Sequence, residues 1–203
     1  FRNLNLTTLK ASKQPGLNDI IANIEKASKD ENIKGILLNL NSFEAGYATA
    51  TEIRNGLVQF KKSGKFIFAY AEYYSTKAYY LASVADKIYL HPEGAVDFKG
   101  LYAQLMFMKG ALDKLEIEPE IIRHGKFKSA IEPFILDKMS PENKEQVATF
   151  INSIWETIRG EIAESRKISR EELEQISDSL AAENAKDALR LKLVDQLCYK
   201  DEL

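Results

Sequence analysis

Residues 17–29 place apolar side chains at Leu17, Ile20, Ile21, Ile24 and Ala27, the three-and-four spacing of a helix with one buried face. Asp30, Glu31 and Asn32 end it. Residues 33–40, Ile-Lys-Gly-Ile-Leu-Leu-Asn-Leu, are a short apolar run between polar clusters, which predicts a strand buried on both faces. Helical spacing resumes over 48–62 through Ile53, Leu57, Val58 and Phe60, and Gly64 closes that helix. A second buried strand is predicted over 65–71, a short helix over 75–84 and a third strand over 87–90. This alternation implies a parallel sheet with right-handed crossovers. Ligand sites in such sheets lie past the carboxyl ends of the strands, here the loops 41–46 and 72–77.

The second half changes character. A helix is predicted over 104–115, a short extended piece over 120–122, and a strong helix start at Ser140-Pro141-Glu142, with serine as N-cap and proline in the first turn. The helix opened there is expected to reach Arg166. Its apolar stripe, Val147, Phe150, Ile151, Ile154, Trp155, Ile158 and Ile162, suits the core or another subunit. Ser169 with Glu172 forms a capping box for a further helix, and residues 184–191 give one more. The pattern fits a single domain over residues 1–203.

Composition narrows the function classes. A net charge of -2 lacks the basic excess of a general nucleic-acid binder. The single cysteine, Cys198, can form no intrachain disulfide and no thiolate metal cluster. His91 and His124 are far apart and in no HExxH motif, so no metal site is expected, and no cofactor motif is found. His91, before Pro92, reads as a loop residue at a strand end. No apolar run reaches the roughly 20 residues that span a bilayer. The chain begins at Phe1, so any membrane anchor is expected to have been trimmed away. The closing Lys200-Asp201-Glu202-Leu203 reads as a retrieval signal only at a true C-terminus, and its match is expected to be coincidental.

The stretch Arg123-His124-Gly125-Lys126-Phe127-Lys128-Ser129-Ala130 sets a lysine among cations in an apolar context. A lysine base must be neutral near working pH, and like charges and burial both lower its pKa. Arg123 and Lys126 supply like charge; Ile121, Ile122 and Phe127 are candidates for burial. A solvated basic loop is the alternative on these residues alone.

Several stretches together resemble the signal peptide peptidase A (protease IV) family, in the N-terminal half of its long tandem-domain form. They are Ile33-Lys-Gly-Ile-Leu-Leu-Asn-Leu-Asn-Ser42, Ala48-Thr-Ala-Thr-Glu-Ile-Arg54, Tyr79-Tyr-Leu-Ala-Ser-Val-Ala-Asp-Lys-Ile-Tyr89, Lys126-Phe-Lys-Ser-Ala-Ile-Glu-Pro-Phe134, Asp137-Lys-Met-Ser-Pro141 and Asp187-Ala-Leu-Arg-Leu-Lys-Leu-Val-Asp195. The Lys-Ser-Ala-x-Glu-Pro-Phe run is the most specific. The resemblance implies an α/β fold like that of crotonase and the Clp protease, with a helical C-terminal portion and a serine–lysine dyad split between two domains. Lys128 matches the family's general base, and Arg123 and Lys126 become its electrostatic neighbours.

The departures carry equal weight. Where the family's catalytic domain has its serine, at the start of the helix after the second sheet strand, this chain has Lys77, which cannot be an acylated oxygen nucleophile. Where that domain has a Pro-Gly-Gly loop for the oxyanion, this chain has Phe43-Glu44-Ala45. Ser75 and Thr76 are hydroxyls that a small alignment slip would bring to the nucleophile position; Ser129 is a poor substitute beside Lys128.

The resemblance therefore implies the base-supplying domain of a serine protease that degrades cleaved signal peptides, inactive alone, with the nucleophile outside this chain. Its expected partners are the C-terminal domain of the same protein, apolar peptides and further copies, the family forming tetramers. Its expected place is the periplasmic side of a bacterial inner membrane. Tyr73, Tyr74, Tyr79 and Tyr80 are candidates either for an apolar peptide groove or for the core. A non-catalytic assembly or gating module is the alternative function. An acyl-CoA enzyme of the crotonase type fits least, because Glu44-Ala45 lacks the required donors.

Overall fold

The computed structural model describes residues 2–5, 10–13, 15–41, 43–120 and 129–203. They divide into two compact units, residues 1–99 with 160–203, and residues 100–159.

In the first unit, β1 (Arg2–Asn5) and β2 (Lys10–Lys13) form an antiparallel pair. Helix α1 (Leu17–Lys29) occupies the predicted span. Its start is tied by the Gly16 N–H donating to Asp19 Oδ2 at 3.0 Å. Its end is closed by a distant cation: Lys65 Nζ donates to the carbonyls of Ala27 and Asp30, each at 2.6 Å, where the helix leaves acceptors unpaired.

Strand β3 (Gly35–Asn39) leads to α2 (Tyr47–Lys61), which buries Ala50, Ile53, Leu57 and Phe60. Strand β4 (Phe66–Tyr74), α3 (Thr76–Ala82) and β5 (Lys87–Val96) follow. The β3–β4 and β4–β5 ladders are parallel, as the alternation predicts.

Strand β5 runs beyond the predicted end at His91-Pro92. Its pairing with β4 passes from Ala71↔Leu90 to Tyr73↔Ala95, so residues 91–94 lie opposite Glu72 alone. Proline, which has no N–H for the ladder, is accommodated in this bulge. His91 is thus inside an interrupted strand rather than in a loop beyond it, with Nδ1 accepting from the Glu93 N–H at 3.1 Å. Gly94 is required here for space: a Cβ would stand 2.3 Å from the Glu72 carbonyl oxygen. Gly94→Ala is expected to cost about 1–3 kcal/mol through overpacking, read as a lower urea midpoint at an unchanged slope.

The second unit contains α4 (Lys109–Lys114), a 3-10 turn at Ser129–Ile131, α5 (Glu132–Ile135) and most of α6 (Pro141–Arg166). The helix predicted over 104–115 is confined to its last part. The Met108 N–H donates to the Pro133 carbonyl at 2.7 Å, so it is engaged outside any helix of its own. Helix α6 has the predicted bounds. The stripe is exposed at Phe150 (67%) and fully buried at Ile162.

From residue 160 the chain returns to the first unit. Helix α7 (Arg170–Asp178) starts at Ser169, whose hydroxyl accepts the Glu172 N–H, and α8 (Ala185–Arg190) starts at Asn184, whose Oδ1 accepts the Asp187 N–H. A two-residue strand, β6 (Gln196–Leu197), then pairs parallel to β5 and completes the sheet order β3-β4-β5-β6. Asp195 locks that junction. Its carboxylate accepts from the Ile88 N–H at 2.8 Å and takes a bidentate contact from Arg166 at 3.0 Å.

Candidate active site

The carboxyl ends of β3 and β4 are held together by a side chain. Asn41, just past β3, accepts the Glu72 N–H on its Oδ1 at 2.6 Å. Beyond it, the loop 43–46 leads into α2, with Gly46 at the N-cap and Tyr47 as the first helical residue. Opposite stands α3, with Thr76 and Lys77 in its first turn.

Lys77 Nζ donates to the Ala45 carbonyl at 2.8 Å and lies 5.5 Å from the centre of the Tyr47 ring. The position matched to a serine nucleophile therefore carries a cation that pins the facing loop. That loop turns an acceptor, the Ala45 carbonyl, toward it. A developing oxyanion needs donors at such a place, so the arrangement is opposite to an oxyanion hole. Glu44 on the same loop is exposed.

The neighbouring hydroxyls are already engaged. Ser75 is the N-cap of α3, its Oγ accepting the Ala78 N–H at 3.2 Å. Thr76 Oγ1 donates to the Asp97 carbonyl at 2.7 Å. A nucleophilic hydroxyl must hand its proton to a base, and the Thr76 proton is directed at a backbone carbonyl instead.

Of the four tyrosines near this end of the sheet, three are core. Tyr74, Tyr79 and Tyr80 are fully buried, while Tyr73 is 48% exposed. Each buried hydroxyl has an acceptor: the Tyr89 carbonyl for Tyr74 at 3.0 Å, the Leu193 carbonyl for Tyr79 at 2.8 Å, and the Glu161 carboxylate for Tyr80 at 2.6 Å. Burial pushes the Tyr74 and Tyr79 hydroxyls far above the ordinary phenol range. Of this set only Tyr73 has the surface to meet a peptide.

Lys128, the sequence's candidate base, lies outside the described residues, as do Arg123, His124 and Lys126. The rest of its motif, from Ser129, is described. Its glutamate is almost completely buried: Glu132 is 2% exposed. Glu132 Oε1 accepts from the Ser140 hydroxyl at 2.5 Å, and Oε2 accepts from the Ser140 N–H at 3.1 Å and Asn143 Nδ2 at 2.8 Å. Ser140 Oγ in turn accepts the Asn143 N–H at 3.1 Å, capping α6. The sequence reading found Ser140 as a cap but assigned Glu132 no role. The available signal was a carboxylate inside an apolar run, eight residues before a capping serine.

Cys198 is buried, and burial raises its thiol above the ordinary range, which disfavours the reactive thiolate. Among the described residues no cluster of three or more His, Cys, Asp or Glu could hold a metal. Among them also, no helix is long and apolar enough to cross a membrane.

Comparison with known proteins decides the family. Residues 59–203 match peptidase family S49. The chain belongs to that family. It is 39% identical over 193 residues to Protease 4 of Salmonella typhi, covering 91% of this chain and 31% of that protein. Protease 4 of Haemophilus influenzae is also 39% identical, over 76% of this chain and 25% of its own length. The chloroplastic serine protease SPPA of Arabidopsis thaliana is 30% identical over 96% of this chain and 29% of its own length. This S49 chain therefore spans about a third or less of these relatives. Its parallel four-stranded sheet with helices is the α/β architecture implied by the Clp-like resemblance.

Proposed function

We propose that the chain is the base-supplying N-terminal domain of a serine protease with a Ser-Lys dyad, in which Lys128 is the general base and the serine lies in a C-terminal domain of the same polypeptide. The observation that carries this reading is Lys77. An S49 chain with a lysine hydrogen-bonded to Ala45 at the nucleophile position must obtain its serine elsewhere if it serves a protease. The preserved Lys-Ser-Ala-Ile-Glu-Pro-Phe run supports retention of the base.

The substrates are apolar peptides, cleaved signal peptides first among them, and the protease acts from the periplasmic side of a bacterial inner membrane. The chain assembles with its C-terminal domain and with further copies. Large apolar side chains exposed in the unit of residues 100–159 support this association: Tyr102 at 88%, Met106 at 78%, Leu115 at 68% and Phe150 at 67%.

The test compares two preparations on a fluorogenic apolar peptide. The chain alone is expected to show no turnover above buffer, and the chain joined to a serine-bearing domain is expected to cleave. Turnover by the isolated chain that is lost in Lys128→Ala would place a nucleophile within it and overturn the division of roles. The pinned Lys77 also favours a second reading, a non-catalytic assembly or gating module. In that case the joined protein would cleave equally well with Lys128 replaced.

A further inference from the structure

The sheet of β3, β4, β5 and β6 is parallel throughout, and parallel sheets occur almost only with both faces covered. One face is covered: Ile67, Ala69, Ile88 and Leu90 on it are fully buried. The opposite face carries Leu37 on β3, Phe66 and Phe68 on β4, and Tyr89 on β5, and there Leu37 is 55% and Phe66 43% exposed. Leu37 and Phe68 are neighbours in register. The Phe66 and Phe68 rings are 4.6 Å apart, and Phe68 meets Tyr89 edge to face at 5.7 Å. The Phe66 ring lies so close over Gly35 that a Cβ there would stand 2.4 Å from it. These side chains form one apolar surface across three strands, not a scatter of single exposed residues.

The segment after β6 reaches this surface: Glu202 and Leu203 line one groove with Leu37, Phe66, Phe68 and Tyr89. The same segment is built as a helix start. Tyr199 has extended backbone and is followed by a 3-10 turn, Lys200–Glu202. Glu202 Oε2 accepts the Tyr199 N–H at 2.7 Å, and the Glu202 N–H donates to the Tyr199 carbonyl at 3.1 Å. A glutamate at the third helical position that reaches back to the N-cap N–H is the acidic half of a capping box. Asp201 and Glu202 also place negative charge in the first turn, where the helix dipole favours it.

We infer that the residues following Leu203 continue this turn as an amphipathic helix that lies across Leu37, Phe66, Phe68 and Tyr89 and covers the open face of the sheet. This rests on the reading that a C-terminal domain follows in the same polypeptide, and the Salmonella relative, of which this chain spans 31%, has the length for it. Three strand spacings separate β6 from β3, about 14 Å, which about ten helical residues cross at roughly 1.5 Å each. Apolar side chains are expected at every third or fourth position counted from Leu203, with charged ones facing water. A second copy would have to fit around the turn at Glu202 and Leu203, whereas the continuing chain already enters the groove there. The aromatic surface is then the seat of the connection to the C-terminal domain, and not a groove for substrate peptides.

The test uses the full-length polypeptide with p-benzoylphenylalanine in place of Leu37; irradiation followed by peptide mass spectrometry reads what lies over that position. The main adduct is expected to be intramolecular and to fall within about 15 residues after Leu203, the reach of a helix across the sheet. An adduct of dimer mass would put a second copy on the face. An adduct deeper in the C-terminal domain would put that domain there instead of the helix, and no adduct would leave the face open. Each of these three results overturns the inference.

Leu37→Cys gives a second reading should the bulky probe disturb the face. Two prolines placed in the second turn after Leu203 are expected to speed its reaction with a maleimide at least roughly tenfold, since a covered side chain reacts only through local opening. Cys198, buried in the same unit, is the internal control and stays unreactive if only the helix is lost. An equal rate with and without the prolines would overturn the inference. Neither measurement uses turnover, so the two failures are separate: Lys128→Ala that retains activity removes the base assignment and leaves the helix standing, and an unmoved labelling rate does the reverse.

Discussion

Lys128→Ala in the full-length protease is expected to lower kcat/KM for an apolar peptide by about 10²–10⁴-fold, the range supplied by a positioned general base. A serine hydroxyl is a weak nucleophile until a neighbour accepts its proton, and alanine accepts none. Far-ultraviolet circular dichroism of the variant should match that of the unaltered protein, so that the lost activity is not lost fold. Lys128→Arg is expected to be as inactive as the alanine variant, since a guanidinium stays protonated throughout the working range. That pair of substitutions distinguishes proton acceptance from a need for positive charge. Activity retained in folded Lys128→Ala would move the base role to another group, and activity restored by arginine would replace proton transfer with electrostatic stabilisation.

The candidate site was legible in unequal parts. The departure at Lys77 from the family's catalytic pattern could be read directly, since a lysine cannot serve as an acylated oxygen nucleophile. The structure adds why the substitution is tolerated: the ammonium finds the Ala45 carbonyl and the Tyr47 ring. Glu132 was invisible because its importance comes from Ser140 and Asn143, residues that approach only once α6 has formed. The tyrosines show a different limit. Composition and spacing cannot separate a groove from a core, and three of the four are buried with their hydroxyls satisfied by Tyr89, Leu193 and Glu161. Two of those acceptors lie about 80 residues or more away in sequence, at contact distances that no local pattern encodes.

The fold was legible where local signals agree. The apolar spacing of residues 17–29 and the Ser140-Pro141 start gave α1 and α6 their observed bounds. It failed where tertiary partners decide. The helix predicted from residue 104 is replaced up to Met108 by irregular chain whose last N–H serves Pro133. Strand β6 is only two residues long and exists through its neighbours, with Asp195 holding the Ile88 N–H and Arg166. Pro92 signalled the end of β5 because an isolated strand does end there. The sheet instead accommodates it in the bulge opposite Glu72, at the cost of requiring glycine at position 94.

Arg54→Ala is expected to destabilise the chain by about 3–5 kcal/mol, the usual consequence of breaking one side of a buried ion pair. The Arg54 side chain is 6% exposed and stands 3.0 Å from Glu161 Oε2. It also donates to the Glu161 carbonyl at 3.0 Å and to Ser165 Oγ at 2.5 Å, and lies over the Tyr80 ring at 5.1 Å. One guanidinium therefore joins α2 and α3 to the last turns of α6. Alanine would leave the Glu161 carboxylate, 30% exposed, with the Tyr80 hydroxyl but without its cation. The lower end of the range is expected, because that exposure lets water compensate part of the loss. Arg54→Met with Glu161→Gln should be milder than the single alanine, since no uncompensated charge remains, and a double-mutant cycle measures the coupling. The same cluster gives stability a pH dependence. Tyr80 is pushed up to about 12 by burial and by its bond to Glu161, so the folded state holds the proton more tightly than an unfolded tyrosine at 10.0. The unfolded state then loses protons first, and stability falls as pH rises from about 10 toward 12. In Tyr80→Phe that part of the alkaline decline should disappear from the urea midpoints. An unchanged decline would place its cause in the more deeply buried Tyr74 and Tyr79, and Arg54→Ala costing under about 1 kcal/mol would make the network an exposed-type pair.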